Sequence, residues 1–172
     1  MQKNFSYPVK IDELNQNLYS YVLEPDSDEL QDIKHILQVE KVKNFRGEVF
    51  LKLNKKNNLL RVWGTVEARI VVQSVISLEN FEQIIKAPFE LFFDTKATYK
   101  DIRDLETGIN DDVPDVIVNG EINLADICIE QVALHLEDYP RAAGEVFDFS
   151  QYMQIEPLEV DNPFAVLEKL KK

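Results

Sequence analysis

Apolar and polar residues alternate with a period of two along three stretches in the first half of the chain. From Phe45 the non-polar positions are Phe45, Gly47, Val49, Leu51 and Leu53, while Arg46, Glu48 and Lys52 face the other way. After the polar loop NKKNN the parity inverts: Leu60, Val62, Gly64, Val66, Ala68, Ile70 and Val72 alternate with Arg61, Trp63, Thr65, Glu67 and Arg69. A third run sets Ala87, Phe89, Leu91 and Phe93 against Glu90 and Asp94. Such alternation predicts antiparallel strands with one buried and one wet face, the first two joined as a hairpin.

Other periods mark helices. Ser27 can cap a helix through about Val39, with Leu30, Ile33, Ile36 and Leu37 at helical spacing. NLADICIEQVALHLED (123–138) reads as a second helix, capped by Asn123 and apolar except for a stripe of Asp126, Glu130 and Glu137. Such a helix is buried on most sides and is expected across the open face of the sheet. FSYPVKI (5–11) and DVIVNGEI (115–122) read as short strands, the former at an edge because of Pro8. Residues 100–115 read as an acidic loop. At the end, DNPFAVLEKLKK predicts a short tail helix: Asp161 or Asn162 caps, Pro163 opens, and Phe164, Leu167 and Leu170 share a face.

These elements predict an α+β fold: a curled antiparallel sheet or partial β-barrel, packed by helices, over residues 1–160. The tail helix occupies 161–172. About ten residues make no stable helix alone, so the tail must dock on its own domain or on a partner.

The 172 residues suit one domain with a substantial core. The net charge of −12 is segregated: −1 over residues 1–99, −13 over 100–161 and +2 over 162–172. Wholesale wrapping of a nucleic acid is disfavoured, since that rests on phosphate neutralisation by Lys and Arg. The acidic segment would attract basic partners, or serve only as solubilising surface. There is no run of about eighteen apolar residues and no apolar stretch of signal-peptide type at the start, which leads to the expectation of a cytoplasmic protein.

Catalytic motifs are not in evidence. The five glycines make no phosphate-binding loop, and no serine lies in a nucleophile-elbow context. The lone Cys128 sits on the apolar helix, where a packed thiol is the simpler reading than a nucleophile. Asp111, Asp112 and Asp115 lie close in sequence, but Pro114 interrupts them and the spacing is not that of a calcium loop. The expectation is a non-enzymatic protein with no catalytic residues, metal or other cofactor.

One constellation stands out. Parity puts Arg46, Phe50, Lys52, Arg61, Trp63 and Arg69 on the wet face of the hairpin, and one allowed register sets Phe50 opposite Trp63. The plain reading is a stabilising aromatic cross-strand pair. The functional reading is a stacking and phosphate-contact patch for single-stranded RNA.

Three stretches taken in order, LRVWGTVEARIVVQSVISLENFEQIIKAPFELFF, INLADICIEQVALHLEDYPR and NPFAVLEKL, resemble the YceD family of large ribosomal RNA accumulation proteins, in an alphaproteobacterial-type version. The signature positions are Glu130 and Gln131, then Tyr139, Pro140 and Arg141, then Asn162, Pro163 and Phe164. The chain departs from the family at Ser74, near which members usually carry a cysteine. Ser74 continues the inward face, so the position reads as packing rather than as a metal ligand.

The resemblance implies a role in accumulation or processing of 23S ribosomal RNA, and in assembly of the large ribosomal subunit. It also implies large-subunit ribosomal proteins as partners, with ribosomal RNA a further possibility and no membrane. Combined with the charge map, the expected mechanism is capture of a basic ribosomal protein on the acidic surface. The alternative is direct contact with single-stranded RNA through the hairpin face.

Overall fold

The computed structural model describes residues 4–97, 114–117 and 119–147. The greater part of the acidic 100–115 segment and the whole 161–172 tail lie outside the described residues. The chain divides into two units, residues 1–142 and 143–172, and every element below belongs to the first.

The long alternating runs form three long strands: β3 (Lys41–Asn54), β4 (Leu59–Gln73) and β5 (Asn80–Asp94). Each pairs antiparallel with the next, and the NKKNN loop makes the β3–β4 turn with Asn58 at φ 55°. An earlier strand, β2 (Leu18–Leu23), adds to the outer edge of β3. It was not evident from periodicity, since LYSYVL lacks charged residues to mark a wet face. On the far edge β6 (Asp115–Val116) pairs parallel with β5, so the sheet runs β2-β3-β4-β5-β6. Among the described residues it does not close into a barrel; the class is α+β with a mixed, mostly antiparallel sheet.

The segment 115–122, expected as one strand, divides at a turn where Asn119 and Gly120 both have positive φ. Its second half, β7 (Glu121–Asn123), pairs with β1 (Pro8–Lys10) in a separate two-stranded ribbon. A 3₁₀ turn at Ile11–Glu13 follows β1.

Helix α1 (Ser27–Leu37) begins one residue earlier than Ser27-capping would place it. Asp26 is the cap, accepting from the N–H groups of Asp28 and Glu29, while Glu29 reaches back to the Asp26 N–H in a capping box. It buries Ile33 and Leu37 and leaves Ile36 half exposed.

Helix α2 (Leu124–Leu134) has Asn123 as its cap, as expected, with the side chain accepting from Ala125 N–H at 3.2 Å. The same Asn123 oxygen accepts from Tyr7 N–H at 2.7 Å, which ties the N-terminal segment to the helix start. α2 packs on β4 and β5 and also touches α1 and β1. Leu124, Ala125, Ile127, Cys128, Ile129, Gln131 and Val132 are all buried. Gly47 makes room for this crossing: a Cβ there would lie 2.8 Å from Cys128 Sγ. With α1 and α2 joined to the core on one side, the other face of the sheet is left to solvent.

Candidate functional site: the solvent face of the sheet

The register places the face residue by residue. Phe50 pairs directly with Trp63, and their rings stack at 5.8 Å with planes 23° apart. One row along, Lys52 pairs with Arg61, whose guanidinium lies 4.4 Å from the centre of the Trp63 ring. Four of the six expected residues are therefore adjacent. Arg46 stands four positions down β3 from Phe50, and Arg69 six down β4 from Trp63. At about 3.3 Å per residue, Arg69 is roughly 20 Å from the aromatic pair. The six do not form one patch.

Nor is the face basic as a whole. Arg46 holds Glu24 at 2.8 Å and Glu48 at 2.9 Å, and Arg61 holds Glu90 at 2.6 Å. Lys86 pairs with Glu67 at 2.7 Å, and Lys43 pairs with Glu82. Lys86 holds the Glu67 carboxyl below its usual range by hydrogen bond and charge, and Lys43 does the same for Glu82. The expected stripe of cations is thus a lattice of alternating charges, because β2 and β5 bring acids beside the hairpin's arginines. The strand-β5 acids were legible: extending the parity of Glu90 and Asp94 backward reaches Lys86 and Glu82. Glu24 was not, since β2 itself was not. Among the described residues Lys52 and Arg69 make no ion pair.

The basic residues left over gather at the β3–β4 turn. A surface concavity there is lined by Lys52, Lys56, Arg61, Leu59 and Phe92. Phe92 lies opposite Arg61 on β5 and is 40% exposed, so it extends the aromatic surface beyond Phe50 and Trp63.

The family-signature positions serve other ends. Glu130 is exposed on α2, whereas Gln131 is buried and its carbonyl lies 2.8 Å from His135 Nδ1. Tyr139 and Arg141 are exposed, and the Pro140 carbonyl accepts from Val75 N–H at 3.0 Å. That bond joins the segment after α2 to the turn after β4. Ser74 in that turn is fully buried, its Oγ accepting from Ile76 N–H at 3.1 Å. The inward position of Ser74 is thus a packing and turn-forming site. Asn162, Pro163 and Phe164 lie outside the described residues.

Cys128 is fully buried, and burial pushes its thiol up to about 12. Among the described residues no three His, Cys, Asp or Glu side chains cluster as a metal site would require. No helix among them is long and apolar enough to cross a membrane.

No curated protein and no solved structure matches the chain. A family model does: that of the large ribosomal RNA subunit accumulation protein YceD, over residues 62–171. The match starts inside β4, spans β5 and α2, and covers well over half of the 172 residues. The chain therefore belongs to the YceD family.

Proposed function

We propose that this protein is a non-enzymatic accessory factor for accumulation and processing of 23S ribosomal RNA and for large-subunit assembly, acting in the cytoplasm by binding a basic ribosomal protein through an acidic surface. Family membership supports the ribosomal setting. The observation that carries the mechanism is charge segregation, with −13 over residues 100–161 against −1 over residues 1–99. A field of that sign attracts basic proteins and repels phosphate backbones. The buried, poorly acidic Cys128 thiol agrees with a non-enzymatic role. The tail at 161–172 fits as a short amphipathic helix docking on the partner.

A pull-down of tagged protein from lysate, with and without ribonuclease, tests this. Retention of basic large-subunit proteins after ribonuclease is the expected result. Recovery of RNA-dependent material only would overturn the mechanism. Repeating the experiment without residues 161–172 should weaken retention if the tail contributes.

A second reading has its own observation: the Arg61–Trp63–Phe50 stack beside Lys52 and Lys56. Aromatic faces next to cations are how single strands are held without sequence preference. On that reading an oligouridylate binds with an affinity that falls with salt and is reduced at least several-fold by Trp63→Ala. The lattice of ion pairs across the same face ranks this reading below the first.

A further inference from the structure

Strand β2 is an edge of the five-stranded sheet, and among the described residues nothing pairs with its outer side. Every second residue of such a strand turns its N–H and C=O away from its one partner. Exposed edges are normally blunted by lysine, proline or a bulge, because they are templates for another strand. LYSYVL has none of these: it carries no charge and no proline, and its register with β3 is unbroken from Leu18 to Leu23. Leu18 and Val22 are 59% and 52% exposed.

Beside this edge runs a groove between β2 and the β1–β7 ribbon. Tyr7, Tyr19 and Tyr21 line it together with Glu13, Glu121 and Lys10. Tyr7 and Tyr21 meet edge to face at 5.5 Å. Lys10 is flanked by both acids, lying opposite Glu121 in the ribbon and 4.0 Å from Glu13. The groove therefore keeps an acidic excess and three aromatic rings. Tyrosine faces attract lysine and arginine.

We infer that the outer edge of β2 takes an extended lysine- and arginine-rich segment of a partner protein as an added strand, with alternate cations in the Tyr7–Tyr19–Tyr21 groove. Strand addition derives affinity from main-chain hydrogen bonds and selectivity from pockets for alternate side chains. Charge selects the occupant: a second copy would bring another −12 to an acidic groove, and a nucleic acid would bring phosphates. This deepens the proposed function by giving the basic partner a binding site. It is tested on the isolated protein, so its failure leaves the pull-down result standing, and the reverse.

The test is titration of the isotope-labelled full chain, followed by backbone amide NMR. The probes are a short peptide alternating valine with lysine and arginine, and a matched one alternating valine with glutamate. Only the basic peptide should shift and protect outward-facing amides of Leu18–Leu23. Val22→Lys and Glu13→Lys, both at exposed positions, should each weaken it about tenfold or more with the fold intact by circular dichroism. Equal binding of the acidic peptide overturns the inference, as do shifts confined to the Trp63 face. So does prior protection of those amides in the free monomer, which would mean that the chain covers its own edge. Self-association lost in Val22→Lys would give the edge to a second copy, and an oligouridylate moving the same signals would give it to RNA. Either outcome overturns the inference.

Discussion

Gly47 and Cys128 meet where α2 crosses the sheet, and the pair can be tested as a unit. Gly47→Ala puts a methyl group 2.8 Å from a buried sulfur, so helix or strand must shift. Overpacking of this kind costs about 1–3 kcal/mol, measurable by urea denaturation. Cys128→Ala in the same chain removes the clashing atom and should recover part of the loss, giving non-additive free energies. At Gly64 a Cβ would lie 2.0 Å from the Glu48 carbonyl oxygen, which is backbone and cannot rotate away. Gly64→Ala should therefore cost more than Gly47→Ala. Cys128 also makes a pH prediction. Its folded thiol keeps its proton to about pH 12, while in the unfolded chain it loses it near the ordinary value of 9.0. Stability from this group is complete below pH 9 and is lost as pH rises toward 12, because the unfolded state then binds fewer protons. Cys128→Ala should flatten the alkaline fall, seen by comparing denaturation at about pH 8 and about pH 10. The native thiol should resist aromatic disulfide reagents until denaturant is added.

Among the elements, α1 depends most visibly on one residue outside it. Asp26→Ala removes the cap for two backbone donors and should lower stability by about 1 kcal/mol, whereas Ser27→Ala should have little effect. The hairpin face makes a complementary prediction. A double-mutant cycle of Phe50→Ala and Trp63→Ala should show coupling of roughly 0.5–1.5 kcal/mol, as offset aromatic pairs do. If that coupling is present and oligouridylate affinity is unchanged, the pair is structural only. The strands themselves were legible from alternation: their parity, the inward Ser74 and the Phe50–Trp63 register all follow from period two along β3 and β4. β2 was not, because six uncharged residues show no contrast between faces. The split of 115–122 into two strands was not legible either, since its halves pair with β5 and with β1, from distant parts of the sequence.

For the whole molecule, charge decides what it can approach. The net −12 is close to neutral over the residues that build the sheet, and the excess lies beyond them. Binding to a basic ribosomal protein should therefore weaken as salt rises through the range where the Debye length falls below about 10 Å. Charge-neutralising substitutions within residues 100–161 should slow association more than they speed dissociation, as stopped-flow measurement would show. Retained association rates in such a variant would move the interface off the acidic segment.

The sequence by itself determined the α+β class, the long strands and their faces, the buried helix with its Asn123 cap, and the family. Each of these rests on short-range periodicity, local capping or ordered motifs, which a linear chain displays. Only the tertiary structure decided the electrostatic character of the candidate face. Arg46 and Arg61 read as free cations along their own strands, but Glu24 and Glu90 arrive from β2 and β5 and neutralise them. The open edge of β2 was equally invisible, because whether a strand has one neighbour or two depends on how distant segments pair. Charge and pairing across strands are properties of neighbours in space, and those neighbours are set by the fold.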